Sequence, residues 1–516
     1  MLALQNRRLM LWAVLLIIAL AGDARAAERL FDVRDFGAVG DGVALNTQAI
    51  QKAIDACAEA GGGAVWIGRG RYLSGALRLK SHVTLHIDAG AVLLGSTRLD
   101  DYPSIVPARR SYTDNYTERS LLYAENVEHI ALTGLGAIDG QGAAFKGPYK
   151  VRPYMIRVID CRHVAVRDLT IRDSPMWVQH YLACDHVTID GITVHSLVNA
   201  NNDGIDIDSC DYVRISDCDV RSGDDAIVLK STTERPCRHV AITNCVLSSD
   251  CNALKLGTES NGGFQNITIS NCAIYDTRLA GIALELVDGG RFERVTVSNI
   301  VMDNVRGGLF IRLGNRARPF RDDMDKPGMG SMRDVVIANV QATGLDRTGC
   351  SITGLPDFPV ENVTLENIRL AFAGGGAADE AQRPVEEFPE KYPEYKMFGT
   401  LPAYGFFVRH ARNVNFRDIE LRFEKPDARP AVVCEDVRDL TLLDFDAQAT
   451  SATRALIRLR DVDGALIHGC RPTHPVAAFL RLEGQTTRDI NLFGNDLDAA
   501  AQAVSRATEV IEPLLK

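Results

Sequence analysis

The chain has 516 residues, 46% of them hydrophobic, and a formal net charge of −10. That hydrophobic content supports a large core and excludes wholesale disorder. The acidic balance argues against nucleic acid or an anionic membrane surface as the main partner.

The chain opens on Arg7-Arg8, an apolar run over 9–21 and Ala24-Arg25-Ala26, the pattern of a cleaved signal peptide over residues 1–26. The run falls short of the ~20 residues of a spanning helix, and no membrane insertion is expected. The mature chain is expected to start near Ala27 and to be secreted or periplasmic. Residues 31–42 read as a strand and a glycine-rich turn. Asn46 is placed to cap a helix with Ala49, Ile50, Ala53, Ile54 and Cys57 on one face, ended by Gly61-Gly62-Gly63. Short alternating strands follow at 64–67, 83–87 and 91–94.

From about Asn126 one phrase returns: CRHVAVRDLTI at 161–171, CDYVRISDCDV at 210–220, ENVTLENIRL at 361–370. Its anchors Val164, Val187, Val213, Val240, Ile267 and Val295 are 23, 26, 27, 27 and 28 residues apart. A period of 20–50 residues signals a solenoid, and the two-residue alternation inside each unit makes it a β-solenoid. Neighbouring coils then stack ~4.8 Å apart. The helix would cover the open N-terminal end, where unpaired edges must be hidden. Residues 27–516 are expected to form a single parallel β-helix domain, with a capping segment over about 27–65.

Cys218, Cys245 and Cys272 recur every 27 residues, and Cys161, Cys184, Cys210 and Cys237 every 23 to 27. This reads as small residues stacked in ladders. Disulfides stay open as an alternative, and no CxxC pattern supports zinc. Insertions at 316–330 and 374–403, the latter centred on EEFPEKYPEY, are expected on the binding face.

The runs starting at Asp203, Asp225, Asn252, Ala280 and Gly307 align without gaps. Ile205, Ile227, Leu254, Ile282 and Leu309 form one inward column. Asp208, Lys230, Gly257, Glu285 and Arg312 form an outward one, in which opposite charges stack. Asp203 lies over Asp225, and Asn202 over Asp224. Carboxylates held ~5 Å apart repel, so one is pushed toward its protonated form or both hold a water or cation. An acid–base hydrolase needs that arrangement. Asp224 and Asp225 can share a cleft only if Ser222-Gly223 opens a turn. A capping or calcium-type cluster is the alternative.

Four stretches carry a family likeness: GAIDGQG at 136–142, DSPMW at 173–177, NNDGIDIDSC at 201–210 and SGDDAIVLKS at 222–231. On these the chain resembles glycoside hydrolase family 28, the polygalacturonase-like enzymes, from about Phe31 to the end of the repeats. The resemblance implies an all-β, right-handed parallel β-helix and inverting hydrolysis. It implies Asp224 as general acid, with Asp203 and Asp225 holding and activating the attacking water. No cofactor or metal is implied. Asn202 replaces the family's threonine, Asn252 stands at its histidine, and Ala283-Leu284-Glu285 stands at its Arg-Ile-Lys motif. Candidate substrate-binding residues are Lys255, Asn252, Glu285, Lys230, Arg312, Trp177 and His180. Lys230, Lys255, Arg235, Arg312 and Arg316 could supply a relocated carboxylate clamp. Glu259, Glu285 and Asp288 form a second acidic set, and Tyr404 is a weaker stacking candidate. The expected function is an exported hydrolase, a monomer, acting on pectin-type or related uronic-acid-containing polysaccharide. A β-helix polysaccharide lyase and a non-catalytic carbohydrate-binding β-helix stay open as alternatives.

Overall fold

The computed structural model describes residues 29–148 and 151–510, so the expected leader lies outside the described residues. The strands join one hydrogen-bonded system, and each pairs in parallel with its counterpart one coil away. The fold is a right-handed parallel β-helix. Three ladders run its length. The first passes through Gln179–Leu182, Ile205–Asp208, Ile227–Ser231 and Leu254–Ser260. The second passes through Asp185–Asp190, Asp211–Ser216 and Cys237–Thr243. The third passes through Thr193–Ser196, Asp219–Ser222 and Val246–Ser249.

The first inward column stands as expected: Ile205 pairs with Ile227, Ile227 with Leu254, Leu254 with Ile282 and Ile282 with Leu309. All five are buried. The charged outward column does not form. Asp208 does pair with Lys230, and Glu285 with Arg312. Beyond Leu229, however, the register shifts and Ser231 pairs with Ser260. The four charged side chains turn to other partners, described below.

The helix α1 (Thr47–Glu59) buries Ile50, Ala53, Ile54 and Cys57 against the first coils. Asn46 precedes it without a side-chain cap bond. Its amide bonds instead to Val39 N at 2.6 Å, Val39 O at 3.0 Å and Ala44 O at 2.6 Å, which ties down the glycine-rich turn.

The corners are built from stacked side chains. All twelve cysteines are free thiols. The Sγ of Cys184, Cys210 and Cys237 donate to Val158 O, Tyr181 O and Ile207 O, each on a neighbouring coil. Asn271, Asn299, Asn339 and Asn367 occupy left-handed backbone positions, with φ between 52° and 56°. Their amides form a ladder: Asn299 to Asn271 at 2.9 Å, Asn339 to Asn299 at 2.9 Å, Asn367 to Asn339 at 2.8 Å. At another corner His129, His163, His186, Tyr212 and His239 stack with centroids 4.5 to 5.1 Å apart.

The second insertion lies on the outer face of the first ladder. Tyr395, Met397, Phe398, Leu401 and Ala403 cover Ala280, Ala283 and Phe310, which point outward from the coils yet are buried. Arg312 and Arg409 hold its backbone: Arg312 donates to Glu387 O at 2.7 Å, and Arg409 to Val385 O at 2.6 Å. No helix among the described residues is long and apolar enough to cross a membrane.

Candidate active site

The third ladder hands over to the first through short turns, and the aspartates sit in them. One strand ends at Ser222 and the next begins at Ile227. Residues 223–226 therefore escape strand alternation, and Asp224 and Asp225 can face one cleft. Gly223 N donates to Ser196 O at 2.7 Å. A Cβ on Gly223 would come within 3.0 Å of Asn199 O. The Asp224 carbonyl is fixed by the hydroxyls of Ser222 and Ser249, each at 2.6 Å. Its carboxylate accepts from Asp225 N at 3.0 Å and from Asn201 Nδ2 at 3.4 Å.

Asp203 lies on the adjacent coil. Gly204 N donates to Asp225 O at 2.9 Å, which locks the two turns together. A Cβ on Gly204 would fall 2.5 Å from Ala226 O, so only glycine permits this approach. Asn202 is buried and structural: its Nδ2 donates to Ser174 O and Met176 O, both at 2.9 Å.

Two lysines neutralise the centre. Lys255 Nζ is 3.1 Å from Asp225 Oδ2. Lys230 Nζ is 3.8 Å from Asp203 Oδ2, 3.5 Å from Asp206 Oδ1 and 3.5 Å from Glu259 Oε2. Asn252 binds Asp225 Oδ1 through Nδ2 at 2.9 Å and through its backbone N at 3.2 Å. Its Oδ1 accepts from Ala280 N at 3.0 Å, so the amide is fully committed.

These contacts separate the carboxyls. Burial, then the neighbouring Asp225, raises the Asp224 pKa above its ordinary value. Burial also acts against ionised Asp225, but Lys255, Lys230 and Asn252 overcome it and hold that group below the ordinary range. Asp203 is pushed well up by burial, then by Asp224 and Asp206. Carboxyls pushed apart in this way suit opposite roles as acid and base. One oxygen each from Asp224 and Asp225, and Cys251 Sγ, lie within 4.8 Å of one another.

The other sequence candidates divide. Trp177 lies beneath Lys230, whose Nζ is 4.7 Å from the ring centroid, and packs on Tyr116 and Tyr154. His180 is fully buried, with Nε2 3.3 Å from Asp208 Oδ2, and burial lowers its pKa. Glu285 is fully buried, accepts from Thr258 Oγ1 at 3.0 Å, and is pushed up to about 8 by burial. Arg312 is buried and spent on the insertion, donating to Glu387 O and Phe388 O. Arg235 pairs with Asp185 at a distant corner. Arg316 binds Asp288 bidentately, and Arg318 reaches Glu259 at 2.5 Å. Tyr404 is buried, its hydroxyl donating to Gln448 O at 2.7 Å.

Sequence reasoning missed Asp206, Tyr392 and Glu394. Tyr392 OH accepts from Lys255 Nζ at 3.3 Å. Glu394 Oε1 accepts from Asn252 Nδ2 at 3.3 Å and lies 3.8 Å from Lys255 Nζ. The length of the insertion predicts that it lies on the binding face. These partners, 137 and 142 residues apart, carry no local signal that would pair them.

The model of glycosyl hydrolases family 28 matches residues 57–387. A probable polygalacturonase of Vitis vinifera is 37% identical over 214 residues, 38% of this chain and 43% of that protein. The exo-poly-alpha-D-galacturonosidase of Dickeya chrysanthemi is 40% identical over 125 residues, 23% of this chain and 20% of that protein. The chain thus spans less than half the length of these curated relatives. The crystal structure of an exopolygalacturonase from Thermotoga maritima superposes with a TM-score of 0.61 at 22% identity. That match covers 77% of this chain and 92% of the other, and it supports the fold.

Proposed function

The chain belongs to glycosyl hydrolases family 28, and from that premise we propose that it hydrolyses glycosidic bonds in a pectin-type or related uronic-acid-containing polysaccharide, acting outside the cytoplasm once its leader is removed. Asp224 gives its proton to the glycosidic oxygen as the bond from the anomeric carbon breaks. A water held by Asp203 and Asp225 attacks that carbon and passes its proton to Asp225. The observation that carries this is the split within one turn: Asp224 pushed up by burial, Asp225 held down by Lys255. An acid that keeps its proton beside a base that has lost its own is the requirement for such a step.

Asp224→Asn is expected to lower kcat on pectic oligosaccharides by at least about a thousandfold, given the full contribution of a general acid. The melting temperature should stay close to that of the parent. Release of new reducing ends measures the loss, and near-normal hydrolysis by this variant would sink the assignment. NMR of the first-formed anomer tests inversion. A product that retains configuration would remove the water-holding role of Asp203 and Asp225. Binding to glycans with no cleavage of any would favour the non-catalytic alternative.

A further inference from the structure

The cations around the aspartates are already committed, and carboxyl groups outnumber them. Lys230 is shared among Asp203, Asp206 and Glu259. Lys255 is shared between Asp225 and Glu394. Arg316 serves Asp288, and Arg318 serves Glu259. Glu285 lies behind Lys255 with no cation within ion-pair distance among the described residues. Buried oxygens of Asp203, Asp206, Glu285 and Glu394 have no hydrogen-bond donor among the described residues.

A uronate carboxylate entering this cage finds no uncommitted cation among the described residues. It would have to break an existing pair, leaving a buried acid uncompensated. The pKa directions agree: Asp203, Asp206, Glu285 and Glu394 are all raised, with burial the largest cause. The same low dielectric that penalises them penalises one more anion. A sugar whose polar groups are hydroxyls carries no such cost and can donate to carboxylates.

Outside the cage the balance changes. Arg278 is exposed at the rim, donates to Asp250 O at 2.5 Å, and sets Nη2 3.9 Å from Cys251 Sγ. It has no ion pair among the described residues.

Resting on the hydrolase assignment above, we infer that the glycosyl unit cleaved over Asp224, Asp225 and Asp203 is a neutral sugar, and that a uronate of the same polymer is held outside the cage beside Arg278. The specificity-determining residues are then Glu285 and Glu394, where a clamp for a carboxylate would need cations.

The test compares three substrates on the full chain. They are α-1,4-galacturonate oligomers, the same oligomers with carboxyls reduced to primary alcohols, and rhamnogalacturonan oligomers ending in a neutral sugar. Cleavage of the neutral-ended and reduced oligomers is expected at a kcat/KM at least about tenfold above that of the native acid. Glu394→Gln should shift the acid-to-reduced ratio toward the acid by at least about threefold, a ratio that loss of folded protein cannot move. Arg278→Ala should raise KM on the rhamnogalacturonan oligomers and leave it unchanged on the reduced ones. Faster cleavage of native galacturonate than of its reduced form overturns the inference while leaving the hydrolase assignment intact. An unchanged KM in Arg278→Ala overturns the rim site. No new reducing ends from any of the three overturns the hydrolase assignment, and the inference with it.

Discussion

Asp225 stays ionised because Lys255 stands 3.1 Å from its Oδ2, and that dependence can be measured. In the proposed roles the base must be ionised to work, so activity is expected to fall as pH drops through the Asp225 pKa. Asp224 must be protonated, so activity falls again as pH rises through its raised value. In Lys255→Met that cation is gone, and only Lys230 and Asn252 still oppose burial. The acid limb of kcat/KM is expected to move to higher pH while the alkaline limb moves less. A pH–rate profile checks this, and an unmoved acid limb would assign that limb to another group. The three aspartates were legible in the sequence because their motifs repeat on successive coils. The side chains that tune them were less so. Strand alternation says that Arg312 and Lys255 point outward. It does not say that an insertion covers one and enters the centre beside the other.

The asparagine corner sets the strength of the coil as an element. Asn299 both donates and accepts in its ladder, and it does so at φ 56°. Asn299→Ala loses both amide bonds and places a Cβ residue without side-chain compensation in the left-handed region. Each such bond is worth ~1 kcal/mol and the backbone conformation ~1–3 kcal/mol. Asn299→Gly loses the bonds but relieves the backbone. Thermal denaturation is therefore expected to rank parent above Gly above Ala, and Ala at or above Gly would put the backbone term aside. Coil period, inward columns and cysteine ladders could be read from spacing, since parallel stacking repeats a residue type at one interval. The slip after Leu229 could not, because the matching apolar residues end there, and Lys230-Ser231-Thr232 beside Gly257-Thr258-Glu259 carry no pattern that fixes a register.

At the scale of the whole molecule, the second insertion ties coils that are far apart in sequence. Arg312 and Arg409 grip residues 385–388, while Tyr395, Phe398 and Leu401 pack over Ala283 and Phe310. Arg312→Met removes one grip and leaves the apolar packing. Trypsin is expected to cut at exposed Lys391 at least about tenfold faster in that variant, with the fold otherwise kept. Unchanged cleavage would mean that the apolar packing alone holds the loop. The sequence marked where this segment enters and leaves the coils. Its docking is a matter of tertiary contacts that no local pattern encodes.

The aspartates hang from turns of unequal length: residues 197–204 link one pair of strands, while the shorter 223–226 links the next and the equally short 250–253 the third. The strands on either side keep their pairing in spite of this. The scaffold therefore separates what must be inherited intact from what is open to variation. Register is carried by the ladders, and chemistry by the turns and the inserted segment. Exchanges such as asparagine for histidine at position 252 can then accumulate without refolding the coil. On that account, the turns and the inserted segment can be edited for another substrate while the ladders keep the architecture.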